Sequence, residues 1–143
     1  MEEIAKYSNC FVCGDHNEHG LQAKFFLEGE KAVARLVARA EFEGYRGIYH
    51  GGVISSMLDE VMVKAILARN VFAVTAEMTV RYLKPVEIGS ELTFTGEIVE
   101  QKGRIYLTEG KVCDASGTMY ASATGKYLKA KPGLQERLME SVE

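Results

Sequence analysis

Apolar and polar residues alternate along much of this chain with the period of two that marks a strand with one buried face. The alternation is clearest over residues 31–39, where Val33, Arg35, Val37 and Arg39 interleave with Ala34, Leu36 and Ala38. Residues 21–27 read as a strand just before it, joined by a turn at Glu28-Gly29-Glu30. Four more strand-like runs come later, at about 73–83, 91–101, 104–114 and 118–128. Turn residues separate them: Pro85 through Gly89, Lys102-Gly103, and Asp114-Ala115-Ser116-Gly117. Between the two groups the period changes, and residues 52–69 carry the one long helical pattern. The predicted order is two strands, one helix, four strands. Consecutive strands with short turns make an antiparallel sheet. A helix this apolar is expected to be wrapped by that sheet, which places the chain in the α+β class.

Composition adds bounds. The length of 143 residues fits one domain, with residues 1–20 as an irregular N-terminal loop and 130–143 as a peripheral tail. The net charge of -3, with Lys and Arg spread along the chain, argues against a nucleic-acid partner. The N-terminus lacks the apolar segment of a secretory signal, and no apolar run has the length of a membrane span. Three cysteines, an odd number, favour a reducing cytoplasmic setting over a disulfide scaffold. Cys10, Cys13, His16 and His19 follow one another at intervals of three. Four ligands within so short a stretch leave little chain to wrap a tetrahedral ion, so a packed loop is preferred to zinc, and neither metal nor cofactor is expected.

The stretch GIYHGGVISSMLDE, residues 47–60, holds the candidate chemistry. At 100° per residue, Met57, Ala68, Val61, Ile54, Ala65, Leu58, Met62 and Ile66 form one apolar arc of the helix. Asp59 lies just beyond that arc, among Ser55, Met62, Val63 and Ile66, an environment in which carboxylates tend to be functional. Glu60 lies about 100° further round and is spaced to pair with Lys64 as a solvated i, i+4 couple. Asp59 is therefore the expected working acid and Glu60 a surface group.

Gly51 and Gly52 precede the acids at the predicted helix start. Amides there have no internal acceptor and face a ligand with the positive end of the helix dipole. Glycine lets a ligand oxygen approach closely, so the pair has the form of a small oxyanion hole; it also fits a plain tight turn. His50 is read either as a base or, preferably, as the residue that orients the turn. From Gly51 to Asp59 is about 12 Å along one helix. A carbonyl attacked by water must lie within about 3 Å of its donors. If both groups act on one carbonyl, they come from two copies of the helix running antiparallel across a twofold axis, which predicts a dimer.

At this point the residues resemble a family. His50-Gly51-Gly52, the acid nine residues after the His, and VTAEMTVRYLKPVEIG at 74–89 are similar to hotdog-fold acyl-CoA thioesterases of the PaaI-like (phenylacetate-type) branch. KGRIYLTEGKVCDASGTMYASATGKY resembles its closing strands, and CFVCGDHNEHGL the opening of members whose helix carries Leu-Asp-Glu. The resemblance implies an antiparallel six-stranded sheet around one central helix, in dimers or dimers of dimers. It implies that the Gly51 amide polarises a thioester carbonyl while Asp59 of the partner chain activates water or attacks directly. The implied substrate is a small or medium, aryl or alkyl, acyl-CoA. One departure stands out: Gly44 occupies a position, six residues before the His, where many relatives carry Asn or Gln. Asn17 and Thr75 are the candidates to replace that polar group. Gly52, Arg81 and Lys84 complete the expected substrate contacts. The alternative reading is a hotdog protein that binds acyl-CoA without cleaving it.

Overall fold

The structure is a computed structural model that describes residues 2–142. Strands β1 (Glu2–Glu3), β2 (Phe26–Glu28) and β3 (Lys31–Val37) precede helix α1 (Gly51–Leu67). Strands β4 (Ala73–Tyr82), β5 (Glu91–Lys102), β6 (Ile105–Cys113) and β7 (Met119–Lys129) follow, then a short helix α2 (Pro132–Met139). All pairings are antiparallel, in one sheet ordered β1-β2-β3-β5-β6-β7-β4. The six expected strands and the long helix are present.

Two details differ from expectation. The sheet has seven strands, because Glu2–Glu3 adds a two-residue strand at one edge. The strand expected over 21–27 is ladder-paired only at Phe26–Glu28. Its earlier residues bond to the N-terminal segment instead: Leu21 N–H donates to Phe11 O, Ala23 N–H to Val12 O, and Phe25 O accepts from Ile4 N–H, each at 2.8 Å. Alternation reports that a segment is extended with one face buried; it does not report which neighbour satisfies the backbone.

The helix lies on the sheet where the sheet has almost no side chains. Cross-strand pairing links Ala32 to Gly96, Gly96 to Gly110, Gly110 to Ala123 and Ala123 to Val80. Four of the five residues in this row across the sheet are Gly or Ala. A Cβ on Gly96 would sit 2.5 Å from the Val61 carbonyl oxygen, and one on Gly110 3.1 Å from Met62 Cγ. The row is thus a saddle for the Val61–Met62 turn of α1. Around it Met57, Leu58, Val61, Met62 and Ile66 are fully buried against Phe94, Val112 and Tyr127.

The N-terminal segment covers another side of α1, burying Ile4, Val12, Cys13, Leu21, Ala23 and Phe25. Burial runs nearly all round the helix as a result, and it includes Glu60 and Lys64. The surface ion pair expected for these two is therefore a buried one. A helical projection places residues around an axis but cannot say which arc a polar-looking loop will cover.

The saddle gives a stability test. Gly96→Ala is expected to force α1 off the sheet and cost about 1–3 kcal/mol. Urea denaturation, compared with an alanine placed in the open at Gly133, is the measurement.

Candidate active site

The chain enters α1 through a sharp turn held by His50. His50 N–H donates to Phe42 O at 2.9 Å, and His50 Nδ1 accepts the Gly52 N–H at 2.8 Å. His50 is the N-cap in extended conformation. Its acceptor nitrogen is committed to an amide that the helix itself leaves over. This agrees with the reading of His50 as the orienting residue. The cap also engages Gly52, so of the two glycines only Gly51 presents an N–H without an acceptor among the described residues. The Gly51 carbonyl accepts from Tyr82 Oη at 2.8 Å, and Tyr82 also contacts Ser55 Oγ. Tyr82, near the end of β4, thereby fixes the first turn of α1.

Two turns further along, Asp59 points at the sheet. Its Oδ1 accepts from Tyr127 Oη at 2.7 Å and from Thr75 Oγ1 at 2.8 Å. Tyr127 Oη also lies 3.1 Å from the Asp59 backbone oxygen. Thr75 and Tyr127 are direct cross-strand partners on β4 and β7. A register shift follows immediately, between Thr75 and Glu77. Bulges of this kind re-aim side chains next to functional sites. Both donors fall on one carboxylate oxygen, which fixes the group and leaves Oδ2 without a protein partner among the described residues. Burial, then the neighbouring Asp59 charge and hydrogen bond, hold the Tyr127 phenol far above its usual range, so it stays a donor.

A cavity of about 330 Å³ opens beside the carboxylate. Asp59 and Thr75 lie on its wall with Val63, Leu67, Phe72 and Val74, and Glu60 and Tyr7 also border it. A cleft of similar volume lies on the outer face of the sheet, where Thr79, Arg81, Glu97 and Lys111 line it. It contains none of the groups around Asp59, so the cavity beside the carboxylate is the one placed for chemistry on an acyl group.

The other expected contacts fall elsewhere within one chain. The Asn17 amide holds the N-terminal loop, donating to Asn9 O at 3.3 Å and accepting from His19 N–H at 3.0 Å. Thr75, the other candidate for the missing polar group, is the one that reaches Asp59. Arg81 is exposed on the outer cleft, and Lys84 is exposed just after β4. At Gly44 a Cβ would lie 3.3 Å from the His50 ring, so the ring occupies the space that a longer residue there would need. Sequence reasoning missed Tyr127 and Tyr82. Tyr127 lies on the inward register of β7 with Ala121, Ala123 and Gly125, which was legible, but its pairing with Thr75 spans a non-local strand contact.

The two acids border one cavity but have different partners. Glu60 is buried, its Oε2 lacks a hydrogen-bond partner, and burial pushes its carboxyl up to about 8. Its neighbours are Cys10, whose Sγ lies 3.6 Å from Oε1, and Lys64, at 3.8 Å from Oε2. Lys64 is fully buried and points at Cys13 Sγ, 3.4 Å away, and over the Tyr7 ring, 4.4 Å from its centroid.

Comparison with known proteins gives the family and the fold. The model of the thioesterase superfamily matches residues 46–121, more than half of the sequence, and the chain belongs to that superfamily. A Saccharolobus solfataricus protein with a provisional esterase name is 28% identical over 113 residues, 78% of this chain and 80% of its own. Mouse acyl-coenzyme A thioesterase 13 is 26% identical over 74 residues, and the match spans 50% of this chain and 53% of that protein. A crystal structure of a thioesterase superfamily protein superimposes with a TM-score of 0.80 at 25% identity, over 85% of this chain and 61% of that one. The Escherichia coli PaaI protein of the phenylacetic acid degradation operon gives 0.72 at 20% identity, over 78% and 81%. A Streptococcus mutans protein crystallised with acetyl-CoA gives 0.70 at 20% identity, over 74% and 86%. The fold is the hotdog fold, with PaaI proteins among its structural neighbours. Among the described residues, no helix is long and apolar enough to cross a membrane.

The cap assignment for His50 is testable. His50→Ala is expected to cost about 1 kcal/mol of stability, and His50→Asn, a strong N-cap, to recover most of it. If His50 only caps, His50→Asn also keeps catalytic activity, whereas a base would lose it. Thermal unfolding and activity measured on the same samples separate the two roles.

Proposed function

We propose that this protein hydrolyses the thioester of a small or medium acyl-CoA, aryl or alkyl. The observation that carries the reading is the Asp59 carboxylate, clamped by Tyr127 and Thr75 through Oδ1 with Oδ2 left over, on a cavity wall. In this reading the acyl chain enters the cavity beside Val63, Leu67 and Val74. Oδ2 takes a proton from water, or attacks the carbonyl directly. The Gly51 amide receives the developing oxyanion charge, with the helix dipole behind it. CoA leaves as a thiol, taking the proton that Asp59 drew from water; after direct attack it takes a proton from solvent, and water then hydrolyses the acyl-Asp59 anhydride. Its phosphates are assigned to exposed cations such as Arg81 and Lys84, and Asn17 is assigned to a substrate contact from the N-terminal loop.

The amide and the acid are about 12 Å apart along one helix, so each site is assembled from two chains. Strand β4 supplies the place. It lies at the edge of the sheet with β7 on one side only. A ten-residue strand with an open edge invites pairing. Tyr82 and Leu83, 52% and 50% exposed, extend the same edge toward Gly51. Pairing of β4 with β4 of a second copy across a twofold axis makes a continuous sheet and places two α1 helices side by side. A dimer, or a dimer of dimers, in the cytoplasm is part of this proposal.

A second reading, acyl-CoA binding without hydrolysis, is favoured by one observation: at Gly44, where the family resemblance implies Asn or Gln, there is no side chain and the His50 ring stands over the space. Thiol release from a panel of acyl-CoAs decides between the two. Wild type is expected to release CoA and Asp59→Ala to release none while still binding. Binding without release by wild type would establish the second reading.

The two-chain site has a sharper test. Gly51 is the first residue of α1, where proline fits a helix and removes only the N–H. Gly51→Pro is expected to lower kcat by about 10²–10³-fold, the range for a lost oxyanion donor. Dimers mixed from Asp59→Ala and Gly51→Pro chains then carry one intact site each, and activity is expected to return to roughly a quarter of wild type on random mixing. No recovery in verified mixed dimers would place both groups in the same chain's site.

A further inference from the structure

Outside the Asp59 site, four reactive groups meet between the N-terminal segment and α1: Cys10, Cys13, Glu60 and Lys64. The two sulfurs and a Glu60 carboxylate oxygen all lie within 4.8 Å of one another. The turn that carries the cysteines is built around a sulfur. Val12 N–H and Cys13 N–H point to Cys10 Sγ, at 3.3 and 3.4 Å. Gly14 closes the turn, with its N–H on Cys10 O at 2.9 Å, and a Cβ on Gly14 would sit 2.5 Å from Cys10 N. In the metal-free protein the Cys13 contact and burial hold Cys10 as a thiol, far above its usual range; the two amides aimed at its sulfur are the donors that would support the thiolate once a metal displaces the proton.

Independently, Glu60 Oε2 is buried without a hydrogen-bond partner. Its ion pair with the Lys64 ammonium is 3.8 Å long, beyond hydrogen-bond reach, so the oxygen keeps lone pairs that a metal could take. Charge closes the picture. Two thiolates and a carboxylate bring three negative charges, and a divalent ion with the Lys64 ammonium brings three positive ones. Lys64 is placed as an outer partner, donating to Cys13 Sγ at 3.4 Å and to the Ala5 carbonyl. Outer donors of this kind orient metal ligands.

We propose that Cys10, Cys13 and Glu60 form a binding site for a divalent transition-metal ion, zinc by its donor chemistry, which ties the N-terminal segment to α1. Two thiolates and a carboxylate are ligands that zinc takes in tetrahedral sites. The fourth position falls to the second Glu60 oxygen or to solvent, which reaches the half-buried Cys10. Binding releases the thiol protons to solvent. The partner of the cysteines is a helix acid distant in sequence, where spacing alone offers His16 and His19; both histidines are exposed on the loop. The proposal is independent of the hydrolase reading, since Asp59 and its donors take no part in it.

The test uses the full chain with its thiols reduced, titrated with Co²⁺ and with Zn²⁺. Wild type is expected to bind one equivalent of Co²⁺ with a thiolate-to-cobalt charge-transfer band, and Zn²⁺ is expected to abolish that band and raise the unfolding midpoint. Glu60→Gln, and separately Cys10→Ser, are expected to weaken binding by at least about tenfold. Should the cysteine variant fail to fold, wild type and Glu60→Gln carry the test. A folded, reduced wild type that gives no such band and no Zn²⁺-dependent midpoint shift would overturn the proposal. So would a Cys10→Ser, Cys13→Ser double variant that binds Zn²⁺ as tightly as wild type.

Discussion

The contact on which the rest depends is the close approach of α1 to the sheet at Gly96. Only a residue without a Cβ lets the Val61 carbonyl settle there. The row of small residues across β3, β5, β6 and β7 extends that approach across most of the sheet's width. Once the helix is seated at this depth, the side chains on its flanks have no freedom of height. Asp59, two residues before Val61, then lies within hydrogen-bond reach of Thr75 and Tyr127, which face each other across β4 and β7. A helix held further out by one methyl group would lose those bonds. Packing density at the centre and the orientation of the acid are in this sense one constraint.

The neighbouring acids show how one turn of helix serves two environments. Asp59 faces the sheet and keeps one oxygen free of protein donors. Glu60 faces the N-terminal segment, where burial raises its pKa and a lysine and two cysteines surround it. Sequence order places the two side by side, and the 100° rotation between them decides everything that follows. The N-terminal segment is accordingly part of the structure of α1: without residues 4–25 against it, Glu60 and Lys64 would be the solvated pair that their spacing suggests.

This divides what was legible from what was not. The six main strands in their chain order, the long helix, and the different faces of Asp59 and Glu60 could be read, because they rest on local periodicity. The role of His50 as a cap was legible too, since capping involves residues two apart. Three features were not. Tyr127 meets Asp59 through a strand pairing 52 residues removed from Thr75. Residues 21–25 alternate like a strand but spend their amides on the N-terminal loop. Glu60 was misread because a loop with few apolar residues still buries a helix face, using Ile4, Val12, Cys13 and Phe25. In each case the missing information was a tertiary partner, which composition and spacing do not contain.

In the proposed hydrolase one chain carries two halves of a reaction centre rather than a whole one. Its free amide is at the start of α1 and its free carboxylate oxygen two turns on, and the rigidity that orients each also prevents them from meeting. The His50 cap fixes the first, and the Thr75–Tyr127 clamp fixes the second. Flexing the helix to bring them together would break the saddle contact at Gly96. In the proposed dimer a second copy removes the conflict, because an antiparallel neighbour would present its helix start beside this chain's Asp59. The open edge of β4 adjoins both halves, through Thr75 near one end and Tyr82 at the other. A strand whose two ends support the acid and the helix start is the element through which two chains would complete each other.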